Sequence, residues 1–412
     1  MKNLLMFTNY FYPEVATTGQ LLTELAEELS RHFKITVVTE VPAWSHPVEE
    51  QYKKHRFYHE EYKGIEVWRI RVPDVDKRLK FSRVKYILTY FLNCILLMRK
   101  LGRYDLVYAV TQPPILGGIL GRIAKRKTGG KLMYAILDVN PEQVIALNYT
   151  QKKWVINTMM HFDKKNCLGA DVVVTLGNDM KELIDRRFVN DEQKPRIEII
   201  TNWIDENAIY PIPKTHERVK AFLQEHGLEN KFVIMSSGNI GLFYDFENIL
   251  KIYESYKDDD SLAFVFVGDG AVKSKLIDYK NEHSLSNVYF LPYQKKEDLL
   301  YSLNAADVHL VTNAKGIKGI SVPSKIYGIM ATNIPVWGIL EEGSEAWRMV
   351  EESGCGVLCH AGDYEEIRST LSEIINGRVA FVNSHATGRN YLLNGYTKKD
   401  SINKYYRILE SL

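Results

Sequence analysis

The chain is 412 residues long, 45% hydrophobic and 25% charged, with a formal net charge of +2. This is a globular composition at a length that calls for two domains, which excludes a disordered chain and a single small module. The charge is uneven, with 31 Lys and Arg against 23 Asp and Glu in residues 1–200 and the opposite balance after them. The first half therefore suits contact with a membrane surface or a phosphorylated substrate, or else a plain solvated surface.

Residues 4–10 read as an apolar strand and not as a leader, because the run is short and broken by polar groups. After a loop ending at Gly19, Leu21, Leu22, Leu25, Ala26 and Leu29 recur at helical spacing, and residues 35–39 close a first β-α-β unit. Open α/β sheets hold ligands in loops at the carboxyl ends of their strands. Gly19 lies in such a loop, where it lets a backbone approach a ligand or merely shapes a tight turn. Further strands are expected at 65–72, 105–110, 131–137, 171–176 and 197–201, rich enough in Val, Ile and Leu for a parallel sheet buried on both faces. Asp138 and Glu142, in Asp138-Val-Asn-Pro-Glu142, are candidates for an acceptor-binding group or a base. Glu142 also suits the start of a helix, where its charge favours the dipole.

Residues 77–103 place Arg78, Lys80, Arg83 and Lys85 before an apolar stretch and Arg99, Lys100 and Arg103 after it. The stretch is too short to span a bilayer, but its basic flanks suit an anionic membrane surface. A helix covering the sheet would need the same apolar residues. Of the four cysteines, only Cys355 and Cys359 are close in sequence, within an apparent buried strand and without a second ligand pair. No metal site is expected, and a reduced, cytoplasmic protein fits.

Pro211-Ile-Pro213 reads as a linker, and a second strand series follows at 231–237, 262–268, 287–293, 307–312, 335–339 and 354–359. Gly238 and Gly241 around Asn239 can form a backbone nest for phosphate. The G-x-G-x-x-G spacing of a dinucleotide site is absent. Residues 323–331 read as a short helix with Pro323 at its first position and Ser324 and Lys325 in its first turn. Its unpaired N–H groups, its dipole and the lysine would seat a phosphate or diphosphate. An ordinary surface helix with a chance lysine is the alternative. The tail from 384 is helical, with Ile402, Tyr405, Ile408 and Leu409 placed to pack back across the first domain.

In chain order, the motifs are Tyr12-Pro-Glu14 with Gly19, Asp138-Val-Asn-Pro-Glu142, Asn202-Trp-Ile-Asp205 and Ser237-Gly-Asn-Ile-Gly241. Val267-Gly-Asp-Gly270, Phe290-Leu-Pro-Tyr293, Ala305-Ala-Asp307 and Val322-Pro-Ser-Lys325 complete the series. Together they resemble family 4 of the retaining GT-B glycosyltransferases, most of all the bacterial transferases that assemble O-antigen and capsule polysaccharides. The resemblance covers essentially the whole chain and implies an α/β, GT-B architecture of two Rossmann-like domains facing across a cleft. Residues 1–205 would form the acceptor side and 206–385 the nucleotide-sugar side, with a helix at 386–412 returning to the first. It implies retaining transfer of a hexosyl- or N-acetylhexosaminyl-type sugar from a UDP-linked nucleotide sugar to a lipid-linked or glycan acceptor. Neither metal nor other cofactor is implied, and no nucleic acid partner. The expected setting is the cytoplasm, where the 77–103 stretch could also hold the chain peripherally on the inner face of the plasma membrane.

On this resemblance Lys325, Asp138 and Glu142 are the catalytic candidates. Gly238, Asn239, Gly241, Ser324 and Lys325 would hold the diphosphate, Gly19 would approach it from the other domain, and Tyr293 would frame the uracil. The family's paired glutamates, eight residues apart, fall on Ile320 and Gly328. The second would hold the donor ribose, so either Glu345 substitutes for it or donor binding is impaired. Two alternatives follow: a catalytically degenerate GT-B partner or binding subunit, and a UDP-sugar 2-epimerase, which would need other carboxylates and histidines in the cleft.

Overall fold

The computed structural model describes residues 1–14, 16–43, 48–74, 80–377 and 387–412, without the side chains of 80, 81 and 83. Lys77 and Arg78 of the basic flank and the expected start of the tail at 384 lie outside the described residues. The chain divides into two compact units, Met1–Thr201 with Ile402–Leu412, and Asn202–Ser401.

Among the described residues, the first unit contains β1 (Asn3–Phe7), β2 (Lys34–Glu40), β3 (Phe57–Tyr62), β4 (Ile65–Ile70), β5 (Leu106–Val110), β6 (Lys131–Ile136), β7 (Val172–Thr175) and β8 (Ile197–Ile199). They form one sheet in the order β3-β4-β2-β1-β5-β6-β7-β8, parallel throughout except for the β3–β4 pair. The second unit contains β9 (Phe232–Ser237), β10 (Leu262–Val267), β11 (Val288–Leu291), β12 (Val308–Thr312), β13 (Val336–Leu340) and β14 (Gly356–His360). Its order is β11-β10-β9-β12-β13-β14, all parallel. Parallel strands need helical crossovers on both faces, so runs such as Leu-Ala-Phe-Val-Phe-Val in β10 are buried along their whole length. In each unit the carboxyl ends of the parallel strands then share one edge, and their loops collect there.

Two features depart from the sequence expectation. β3 was not anticipated: Phe-Tyr-His-Glu-Glu-Tyr carries too much charge to read as a buried run. It is an edge strand joined to β4 through Lys63 and Gly64, both at positive φ (48° and 79°), the twist that tight hairpins require. The return of the tail also begins later than 386. The helix Thr387–Leu393 stays in the second unit, where Leu392 is fully buried. Arg389 fixes it there by donating to the carbonyls of Ala331 (2.7 Å), Glu206 (2.9 Å) and Ile209 (3.0 Å). Only Ile402–Leu412 joins the first unit, where Tyr405 packs edge-on to Tyr108.

Candidate active site

In the second unit the chain adds β10 and β11 on one side of β9 and returns to set β12 on the other. Such a reversal opens a crevice beyond the carboxyl ends of the two strands, the usual ligand position in open α/β sheets. The loops after β9 and β10 lock together there. The Gly238 N–H donates to Val267 O and the Ile240 N–H to Asp269 O, both at 2.8 Å. Gly268, at φ 140°, is obligatory, since a Cβ on it would lie 1.9 Å from Gly238 O. The nest expected around Asn239 is therefore half used. Among the described residues its unbonded amides are those of Asn239 and Gly241. Gly241 leaves room for the Asn239 side chain, which a Cβ would meet at 2.7 Å.

The short helix after β12 spans Lys325–Thr332, two residues later than expected, with Ser324 at its cap position. Its first turn is tightened by Ile326 N–H to Pro323 O and Tyr327 N–H to Ser324 O. The amides of Ser324 and Lys325 make no hydrogen bond among the described residues. Lys325 is half-buried, with Nζ 3.3 Å from Ser236 Oγ at the end of β9 and 4.3 Å from the centre of the Tyr244 ring. Its Cε lies 3.7 Å from where a Gly238 Cβ would stand. No described carboxylate pairs with it, and desolvation pulls its ammonium down to about 7. The structure thus brings Lys325, Ser324 and Gly238 together and adds Ser236 and Tyr244, which sequence spacing alone did not single out. Tyr244 lies in Phe243-Tyr-Asp-Phe246, and an aromatic run just after a glycine loop was the available signal.

Tyr293 leans on the same loops. A Cβ on Gly268 would lie 3.3 Å from its ring, its hydroxyl donates to Asp269 O at 3.3 Å, and it is 54% exposed. Gly328 is buried, and the Cβ it lacks would make an ordinary 3.5 Å contact with Leu303 Cδ1. Glu345 begins the helix Glu345–Ser353 and is 3% exposed, with Arg348 Nη2 donating to its carboxylate at 2.5 Å.

The first unit has its own reversal at β1, between β2 and β5. Gly19 sits in the first turn of the helix Thr17–Leu29, and a Cβ there would lie 3.2 Å from Glu14 O. The close approach it permits is that of its own preceding loop. Asp138 is half-buried. Glu142 is gripped through both oxygens by Arg187, which also donates to Asp163 at 2.6 Å and to Asn140 O at 2.9 Å. That grip makes Glu142 a brace between the β6 loop and the helix Lys153–Gly169. Asn9 and Glu40, past β1 and at the end of β2, are buried, and Asn9 Oδ1 and Glu40 Oε1 have no hydrogen-bond partner among the described residues. Burial pushes the Glu40 carboxyl up to about 8 despite a hydrogen bond from Tyr86. Among the described residues, no group of three or more His, Cys, Asp or Glu is placed to hold a metal ion. No described helix is long and apolar enough to cross a membrane.

Two parallel-sheet units, each with its loops gathered at a reversal of strand order, are the architecture of the GT-B fold. The chain is built of two glycosyltransferase domains: residues 17–203 match the family "Glycosyl transferase 4-like domain", and residues 219–390 match the family "Glycosyl transferases group 1". It is 29% identical over 313 residues to "Probable glycosyltransferase WbjE" of Pseudomonas aeruginosa, covering 74% of each chain. It is 25% identical over 341 residues to "Putative colanic acid biosynthesis glycosyl transferase WcaI" of Escherichia coli (strain K12), covering 80% of this chain and 81% of that one. Among solved structures, Anabaena HepE in complex with UDP and glucose superposes with a TM-score of 0.72 over the full length of both chains, at 14% identity.

Proposed function

We propose that the protein transfers a sugar from a UDP-linked donor to a lipid-linked or glycan acceptor during assembly of a bacterial surface polysaccharide, retaining the anomeric configuration. The observation that carries the donor half is Lys325, a half-buried cation without a carboxylate partner, set beside the unbonded amides of Ser324 and its own backbone. A diphosphate there would receive charge-assisted hydrogen bonds as its charge grows during departure from the sugar. The amides of Asn239 and Gly241 would add to them, and Tyr293 offers an exposed ring for the base. The names of WcaI and of the HepE complex support the polysaccharide and UDP parts of this reading. The acceptor would meet the first unit at the ends of β1, β5 and β6, near Asp138.

Peripheral attachment to the inner face of the plasma membrane completes the proposal. It rests on the helix Lys80–Met98, whose Val84, Leu88 and Leu92, four residues apart, are exposed on one stripe beside Lys85. Gly328 keeps a second reading in view, a partner subunit without activity, because the helix of Lys325 carries no carboxylate for the ribose.

The test is transfer of radiolabelled sugar from a panel of UDP- and GDP-sugars into the lipid fraction of bacterial membranes. Transfer from one UDP-sugar, lost in Lys325→Ala, is expected. Binding of UDP without transfer from any donor in the panel would favour the inactive subunit.

A further inference from the structure

The helices Lys80–Met98, Leu116–Thr128 and Lys153–Gly169 form one layer on one face of the first sheet. Tyr90 and Leu97 of the first share a core with Leu120 and Ala124 of the second and with Leu5 and Val107 of the strands. The second and third touch at Gly118, where a Cβ would lie 2.5 Å from Asn166 Nδ2, the atom that donates to Ile115 O at 2.9 Å. These three helices contain ten Lys and Arg and one acid, the buried Asp163. Two of these charges are paired with acids of neighbouring segments, Lys125 with Asp171 and Lys164 with Asp191, each at 2.6 Å, and the remainder leave the layer net positive.

The layer's outer side is apolar as well as basic. Val84, Leu88 and Leu92, opposite the buried Tyr86, Tyr90 and Cys94, are 51%, 47% and 55% exposed. On the third helix Trp154 is 70% exposed, and Phe162 and Leu168 are 40% exposed. With Ile145 and Tyr149 just before that helix, these segments hold eight of the fifteen exposed large hydrophobic side chains among the described residues. Lys152, Lys153 and Lys165 stand exposed beside them with no described carboxylate partner. Apolar side chains with an aromatic and lysine heads at their rim suit the boundary between headgroups and acyl chains.

We propose that the Lys153–Gly169 helix is a second membrane-docking element, so that the first unit lies on an anionic bilayer through a two-helix face. The inference rests on the peripheral attachment argued above and extends it beyond the Lys80–Met98 helix. Charge selects the occupant: a second copy meeting this face through its own would set two strongly positive layers against each other, whereas anionic headgroups complement it.

All four native cysteines are buried, so an introduced one can be labelled selectively. Leu88→Cys and Trp154→Cys, each carrying an environment-sensitive fluorophore, are mixed with phosphatidylcholine vesicles with and without phosphatidylglycerol. Both probes should shift to the blue with the anionic vesicles only, and unlabelled Trp154→Glu should sediment with them about tenfold more weakly. A shift at position 88 with none at 154 would overturn the second element and leave the single-helix attachment standing. Silence at both positions would remove the membrane reading altogether. Concentration-dependent self-association that protects both probes without vesicles would assign the face to a second copy and overturn the proposal.

Discussion

Lys325 is the residue on which donor binding turns, and its proton makes the claim measurable. Desolvation lowers its ammonium to about 7 from an ordinary 10.5. Between those values the unfolded chain keeps a proton that the folded one has released, so the lysine's contribution to stability rises with pH across that window. A diphosphate bound at Nζ would restore the proton. UDP binding near pH 8 should therefore take up a proton, and affinity should fall with rising pH above about 7, by at most about tenfold per unit. Calorimetry in buffers of different ionisation heat measures the uptake, and binding without proton exchange would place the phosphates elsewhere. Glu40 has the opposite sign. Its carboxyl is raised to about 8 from an ordinary 4.5, so the unfolded state loses its proton first and this group costs stability as pH rises through that window. Glu40→Gln should flatten the fall in melting temperature between about pH 5 and 8, and an unchanged profile would mean Glu40 ionises freely. Gly328 tests the ribose. Gly328→Ala should raise the melting temperature through about 1 kcal/mol of helix propensity, because its Cβ meets only an ordinary contact. Gly328→Glu should melt lower without nucleotide, since the carboxylate starts from a buried position, yet show a larger stabilisation by UDP. Equal UDP shifts in parent and variant would mean the ribose lies elsewhere.

Among the elements, the strands were the most legible in sequence. Runs such as Val172–Thr175 and Leu262–Val267 are buried at every position because parallel strands are covered on both faces. β3 was missed for the converse reason, although Lys63-Gly64 between two alternating segments was a usable hairpin signal. Of the candidate site, Lys325 and the glycine loop were legible because helix starts and strand-end glycines carry local signatures. Ser236 and Arg187 were not, since each acts through a partner far away in sequence. Arg187 shows what such a contact does for an element: it ties the Asn140–Glu142 segment to Asp163, and both charged side chains of the Arg187–Asp163 pair are almost fully buried. Arg187→Ala would leave Asp163 buried and uncompensated, at a cost of roughly 3–5 kcal/mol. A urea midpoint displaced by much less would mean that solvent reaches the carboxylate once the arginine is gone.

At the scale of the whole chain, the sequence motifs read as a series placed the division near 205, and the structure divides at Thr201. The tail was harder, because its apolar spacing does not say which unit it covers, and Arg389 keeps its first helix in the second unit. The division puts the proposed donor seat in one unit and the proposed acceptor and membrane faces in the other, so each can be impaired alone. Trp154→Glu should weaken vesicle binding and leave UDP affinity unchanged, whereas Lys325→Ala should do the reverse. The most direct measurement is a calorimetric titration of the full chain with UDP at about pH 7, run beside Lys325→Ala. Saturable binding to the parent is expected, with at least about a tenfold loss in the variant, as removal of a charge-assisted contact of about 1.5–3 kcal/mol requires. Equal affinity in a folded Lys325→Ala protein would contradict the account.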